Sequence, residues 1–136
     1  MKVADVVKDA LLLLRVIDKE DAPEDADARD AIRALNRMMR AWEVDGLPLG
    51  WSDVSTVQDD LPAPPEAEEA IVYNLALRLA GQFGRAVGAD VVTLASDGLA
   101  TLRAQVASND YARCRYDDLP LGTGQRGGSW RDWFNS

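Results

Sequence analysis

Histidine is missing from this sequence of 136 residues, and cysteine occurs once, at position 114. Without histidine the chain lacks the commonest general base and the commonest metal ligand. A single cysteine forms no internal disulfide. Phe, Tyr and Ile are scarce while Ala and Leu are abundant, and this balance favours helix over sheet.

Long apolar runs and an excess of basic residues are also lacking. The run Leu11–Leu14 is flanked by charged residues and is far too short to span a membrane. The N-terminus lacks the pattern of a signal peptide, so we expect a soluble product made in the cytoplasm. With 15 Lys and Arg against 23 Asp and Glu, the net charge is −8. Such a chain is not expected to coat nucleic acid, and no helix carries a coherent basic face for reading bases.

The apolar pattern predicts an all-α fold: a four-helix, bundle-like body over residues 1–112 and an extended arm over residues 113–136. We expect helices over Val3–Ile17, Asp25–Val44 and Pro65–Val87, and a fourth from Gly88-Ala89-Asp90 to about Ala112. A short hairpin or an extended loop should connect the second and third helices. The predicted buried residues are Val3, Val6, Val7, Ala10, Leu11, Leu14, Ile17, Ala28, Ala31, Ile32, Leu35, Met38, Met39, Trp42, Ile71, Val72, Leu75, Ala76, Leu79, Ala80, Phe83, Val91, Leu94, Ala95, Leu99, Leu102 and Val106.

Small residues within two predicted helices indicate where helices approach closely. Ala80, Gly81 and Gly84 in the third helix would let another helix come near. Gly98 weakens the fourth helix by about 1 kcal/mol relative to Ala, which predicts a kink or a tight contact.

Four arginines, Arg29, Arg33, Arg37 and Arg40, occupy the polar face of the second helix. One interpretation is that they pair with nearby Asp27, Asp30 and Glu43 at helical spacing, each pair contributing tenths of a kcal/mol. The other is that they form a basic surface that meets an acidic face of a neighbouring subunit. Both stay open from the sequence.

The C-terminal arm combines two properties that rarely occur together. Its first part has too much Gly and Pro for a regular helix or strand, and its end carries three large aromatic residues that a disordered tail would not bury. We therefore predict that the arm docks onto another chain. The candidate docking residues are Leu119, Pro120, Leu121, Gly122, Gly124, Arg126, Trp130, Trp133 and Phe134.

Three spaced blocks resemble a known family. The first contains Leu35, Met38, Met39, Trp42, Asp45, Gly46, Leu47, Gly50 and Trp51; the second Asn74, Leu75, Ala76, Arg78, Leu79 and Ala80; the third Pro120, Gly122 and Gly124. In this order and spacing they resemble the head-to-tail adaptors of short-tailed phages, also called tail accessory factors or packaged-DNA stabilisation proteins. The resemblance extends from about Val6 to Gln125. The chain departs from the family in lacking the Gly often seen at the end of the first helix, where it has Arg15-Val16-Ile17.

The resemblance implies a structural virion protein rather than an enzyme. Such a protein binds beneath the portal protein after genome packaging, forms a ring of twelve neighbouring subunits and offers the next tail or nozzle protein a platform. DNA would pass through the channel during ejection without sequence-specific binding. No cofactor is implied.

The residues suggest three alternative functions: a protein-binding module, a cell-wall hydrolase and a metal-binding protein. A regulatory or scaffold helical module that binds one protein would also suit four helices and an aromatic tail. A cell-wall hydrolase would need two carboxyl groups flanking a glycosidic bond, and Glu20, Glu24, Asp59 and Asp60 are candidates that nothing in the sequence singles out as a pair. The acidic stretch 18–30 lacks the ligand spacing and central Gly of a calcium loop.

Overall fold

A computed structural model of the protein describes residues 1–108. Residues Met1–Arg103 form one compact unit, and a second unit begins at Ala104. The described part is helical, with α1 at Val3–Leu13, α2 at Asp25–Val44, a short 3-10 turn at Pro65–Ala67 and α3 at Glu68–Gln82. A fourth helix, α4, begins at residue 89 and is helical through residue 108. The predicted all-α class is confirmed.

The core lies between α1, α2 and α3, each of which contacts the other two. Each helix buries the stripe that its apolar spacing predicts, because residues three and four apart share one face. Fully buried side chains include Leu11 of α1, Leu35 and Met38 of α2, and Ile71 and Leu75 of α3. The side chains that form this core are therefore ones that the sequence pattern predicted to be buried.

Some predicted core residues lie at its edge instead. Leu94 is 41% exposed, because α4 packs through a narrow stripe of Val91, Ala95 and Leu102 and Leu94 lies beside it. The prediction that Leu94 is buried was therefore wrong. The half-buried members of the predicted set are Ile17, Ala28, Phe83, Leu99 and Val106.

Three helices end in the same hydrogen-bonded turn, known as the Schellman motif, in which the second residue after the cap bonds back to the last turn. The backbone N–H of Leu47 donates to Trp42, that of Arg85 to Ala80 and that of Val16 to Leu11. The residue with positive φ is Gly46 after α2 and Gly84 after α3, but Arg15 after α1.

These turns correct two predicted helix ends. We expected the first helix to reach Ile17, but it ends at Leu13 because the chain takes a left-handed conformation at Arg15, where φ is 56°. We expected the third helix to reach Val87, but α3 ends at Gln82 because Gly84 turns the chain with φ 64°. Gly84 thus terminates a helix, whereas we predicted that it lies within one. Gly81 was also expected to allow a close approach, yet a Cβ there would meet nothing within 4 Å.

The close approach occurs between α3 and α4, at Gly98. A Cβ at Gly98 would lie 3.1 Å from the Cβ and 3.2 Å from the Cα of Ala70. The Asn74 side-chain amide donates to the carbonyls of Ala70, at 2.8 Å, and of Ala95, at 3.0 Å. Since Ala70 meets Gly98 and Asn74 meets Ala95, the two helices run antiparallel. The prediction of a tight contact at Gly98 is confirmed.

Candidate functional site

The segment between α2 and the 3-10 turn, residues 45–64, is called the long loop here. It contains no strand, only one isolated bridge between Lys2 and Asp60, so of the two predicted alternatives the structure has the extended loop. Its end covers the beginning of α1: the backbone N–H groups of Val3 and Ala4 donate to loop carbonyls at 3.0 and 2.8 Å. The first N–H groups of a helix have no partner within the helix, so the long loop supplies them.

Side chains of α2 hold the middle of the long loop. The Asn36 side chain donates to the carbonyl of Val54 at 2.9 Å and accepts from its N–H at 3.1 Å. Arg40 forms a two-pronged ion pair with Asp53, in which the Arg40 Nε lies 3.1 Å from one carboxylate oxygen and Nη2 contacts the other. A bidentate pair of this kind fixes the direction of both side chains.

Three loop carboxylates, Asp53, Asp59 and Asp60, are called the loop aspartates. Hydrogen bonding by Arg40 lowers the pKa of Asp53, and hydrogen bonds from the backbone N–H groups of Ser55 and Thr56 lower the pKa of Asp59. The hydrogen bond and charge of Lys2, whose ammonium lies 2.8 Å away, lower the pKa of Asp60. All three carboxylates are therefore charged at neutral pH and hold the loop in place.

The arginine stripe, which comprises Arg29, Arg33, Arg37 and Arg40, is exposed along the whole of α2. The pairing interpretation holds in part: Arg33 lies 3.9 Å from Asp30, one turn away. Arg40 pairs through space with the long loop rather than with Glu43 at helical spacing. Within residues 1–108, Arg29 and Arg37 have no carboxylate at ion-pair distance.

The first two motif blocks occupy structural positions. Met38, Met39 and Trp42 are buried, and Asp45 and Gly46 form the end of α2. In the second block Leu75 is buried, Asn74 ties α3 to α4, and Arg78 is exposed. Most of these residues therefore act in packing, in ending α2 or in joining two helices, and Arg78 is a surface residue.

An open groove of about 520 Å³ lies between α1 and the start of α3. Its apolar walls come from Leu12, Leu13, Val72 and Tyr73, and its acidic residues are Asp9, Glu68 and Glu69. Burial, together with the nearby Asp5 carboxylate, raises the pKa of Asp9. Asp9, Leu12 and Leu13 belong to α1, but Glu68 and Glu69 come from α3. No spacing pattern within one helix could therefore reveal the groove.

The predicted docking residues of the arm, Leu119, Pro120, Leu121, Gly122, Gly124, Arg126, Trp130, Trp133 and Phe134, lie outside the described residues, as do the third motif block and Cys114. Whether they form a docking surface stays a prediction.

No group of three or more Cys, Asp or Glu side chains within residues 1–108 could hold a metal ion. No helix in the same range is long and apolar enough to cross a membrane. Of the carboxylates considered for hydrolysis, Glu20 and Glu24 are exposed and Asp59 and Asp60 are engaged in holding the long loop.

Comparison with known proteins identifies one family. The family model described as P22 tail accessory factor matches residues 15–133, which is most of the chain. A search of curated proteins found no sequence that matches this chain.

Proposed function

This chain belongs to the P22 tail accessory factor family, whose role in the virion is structural, and on that premise we propose that it is a head-to-tail adaptor. Made in the host cytoplasm, it would bind beneath the portal protein once the genome is packaged and so complete the head. There it would help retain the DNA and give the next tail or nozzle protein its attachment surface. The match over residues 15–133 carries this proposal.

A ring of twelve copies would follow the symmetry of the portal. Each subunit in a ring meets its two neighbours through two different surfaces, because a head-to-tail contact is heterologous. The exposed Arg29 and Arg37 supply a basic surface on α2. A chain of net charge −8 offers acidic surface for it to meet. This supports the arginine stripe as one side of the subunit contact.

The arm would dock onto the portal or a neighbouring subunit. Burial of Trp130, Trp133 and Phe134 contributes at most a few kcal/mol each, from roughly 150–250 Å² apiece. Ordering some twenty residues costs roughly 1–2 kcal/mol per residue. The aromatic residues alone do not offset this cost, so docking also requires backbone hydrogen bonds and the simultaneous binding of many copies.

The proposed role is not enzymatic, and DNA would be a passing cargo rather than a sequence-specific ligand. An acidic protein repels phosphates, which suits a channel through which DNA must move without adhering.

The test is assembly with the portal protein of the same phage. We expect sedimentation of the mixture to give a complex with twelve copies per portal ring, seen as a ring beneath the portal by electron microscopy. Reversal of charge in the double variant Arg29→Glu/Arg37→Glu should reduce ring formation. The double variant Arg78→Glu/Arg103→Glu, an equal reversal of two charges at exposed positions of α3 and α4, serves as the matched control and should assemble normally.

Two results would contradict the proposal. One is a protein that does not bind the portal at all. The other is a stable 1:1 complex with an unrelated protein, which would favour the regulatory or scaffold module.

A further inference from the structure

The groove between α1 and α3 has the composition of a binding site for a cationic, apolar ligand. Leu12, Leu13 and Tyr73 on its walls are half-exposed rather than packed into the core. Its volume of about 520 Å³ falls within the roughly 300–1,000 Å³ that ligand sites occupy. An aromatic side chain would cover this apolar surface and remove it from water.

Carboxylates beside the apolar walls favour a ligand that also carries positive charge. Glu68 already lies 3.7 Å from the amino group of Met1. Within residues 1–108, Asp9 and Glu69 have no ion-pair partner within 4.0 Å. Asp9 is partly withdrawn from water and has Asp5 nearby, and both effects disfavour its negative charge. A cation placed in the groove would relieve this repulsion.

The chain itself contains a segment of matching chemistry. Residues 126–134 read Arg-Gly-Gly-Ser-Trp-Arg-Asp-Trp-Phe, with three aromatic residues and two arginines against one aspartate. This segment is net positive in a chain of net charge −8. We infer that the groove binds the segment 126–134 of a second copy, with an aromatic side chain on the apolar walls and an arginine against Asp9 and Glu69.

The inference rests on the proposed function, because a ring requires each subunit to give one contact and receive another. Every copy has one groove and one aromatic segment, so donation from each copy to the next closes on itself. Binding is then multivalent around the ring, and a weak contact at one groove is reinforced by the others.

A peptide experiment tests the groove first. A fluorescein-labelled peptide of residues 124–136 is titrated against the full-length variant Trp130→Ala/Trp133→Ala/Phe134→Ala, which keeps the body but lacks its own aromatic residues. We expect saturable binding by fluorescence anisotropy, weakened about tenfold by Leu13→Asp through loss of apolar contact. Glu69→Lys should weaken binding several-fold and reduce its salt dependence.

The matched control is Glu43→Lys, an equal charge reversal on exposed α2. It should leave peptide binding unchanged. Absence of peptide binding overturns the inference. So does a loss of affinity in Glu43→Lys equal to that in Glu69→Lys, which would show that the peptide is attracted to the overall charge of the protein rather than to the groove. Circular dichroism verifies that each variant is folded, and Glu69→Lys, at an exposed position, keeps the test valid should Leu13→Asp fail to fold.

Cross-linking on the assembled portal complex then identifies which copy supplies the segment. One protein carries Cys114→Ser/Leu13→Cys and a differently tagged protein carries Cys114→Ser/Ser129→Cys. Oxidation should join the two tagged chains. A third protein carries Leu13→Cys and Ser129→Cys in the same chain. If only this protein forms the disulfide, the segment docks within its own copy and the inference is overturned. A ring without any such cross-link also overturns it but leaves the adaptor function standing, whereas failure to bind the portal contradicts both.

Discussion

Replacing Arg15 by glycine should stabilise the protein. After α1 the chain reverses through a Schellman motif, in which the backbone N–H of Arg15 donates to Leu12 at 3.0 Å and that of Val16 to Leu11 at 3.1 Å. This turn needs a residue with positive φ, and the structure places Arg15 there with φ 56°. The equivalent residues after α2 and α3 are glycines.

The magnitude follows from two opposing effects. The left-handed conformation costs a residue with a Cβ roughly 1–2 kcal/mol. Glycine avoids this cost but loses more backbone freedom on folding, which offsets about 0.4–1 kcal/mol. The free energy of unfolding should therefore rise by about 0.5–1 kcal/mol in Arg15→Gly, and Tm by about 2–5 °C for a chain of this size.

At the other two helix ends the same reasoning predicts a loss of stability, because glycine is replaced there by a residue with a Cβ. Gly46→Ala and Gly84→Ala should each lower the free energy of unfolding by about 0.5–1 kcal/mol. A Cβ at either position would meet nothing within 4 Å, so the loss reflects backbone conformation rather than a clash. These two variants separate conformational strain from packing.

Urea and thermal unfolding followed by circular dichroism at 222 nm measure these changes. The control is Arg37→Gly, the same substitution at an exposed position inside α2, which should destabilise by about 1 kcal/mol because glycine disfavours helix. If Arg15→Gly proves neutral or loses stability as Arg37→Gly does, Arg15 is not under strain and the explanation for the end of α1 is wrong.

Four further predictions concern the body. Gly81→Ala should stabilise by about 0.5–1 kcal/mol, whereas Gly98→Leu should destabilise by about 1–3 kcal/mol because its side chain would force α4 away from α3, both measured by urea unfolding. Asn36→Ala should lower the unfolding free energy by about 1–3 kcal/mol and increase hydrogen exchange at Val54, since both bonds to its backbone are lost. Trp42→Ala should cost about 3–5 kcal/mol, as expected for a side chain that is 4% exposed; near-wild-type stability would show that Trp42 does not act as a core residue. The loop aspartates have lowered pKa values in the folded protein. Their contribution to the free energy of unfolding is therefore complete above the pKa of an unfolded Asp, about 3.9, and disappears as the pH falls through the folded pKa values. Wild type should lose more stability between pH 7 and pH 3 than a variant with Asn at these three positions.

The sequence predicted α2 best because its signals agree along the whole helix. Carboxylates occupy its first turn, arginines and apolar residues alternate at helical spacing, and Asp45-Gly46 supplies the ending. The structure places both ends of α2 where they were expected. At the end of α1 the helical spacing of apolar residues continues to Ile17, although the helix has already ended at Leu13. The residue with positive φ there is an arginine, a residue type that does not indicate a left-handed conformation as glycine does. The periodicity of side chains therefore could not locate this turn.

The candidate surfaces were harder to predict because they depend on contacts across the sequence. Helical spacing suggested Glu43 as a partner for Arg40, but Asp53 reaches it from the long loop. The groove combines Asp9 of α1 with Glu69 of α3, two residues that no local pattern connects. Such surfaces exist only once the helices are packed. A single sequence can therefore suggest the residue types but not which of them lie close together in space.

The first two motif blocks and the proposed docking surfaces use different residues, and this separation has a physical consequence. The blocks supply buried side chains, the turn at Gly46 that follows α2, and the hydrogen bond from Asn74 to α4, all of which act within one chain. Arg29, Arg37 and Glu69 are exposed, so changing them removes little packing. Substitutions in the blocks should therefore alter unfolding and reduce assembly only as far as the body unfolds. Substitutions at Arg29, Arg37 or Glu69 should instead reduce assembly at unchanged stability. Because the residues that stabilise the body differ from those proposed to contact partners, the fold could stay the same while the partner proteins differ.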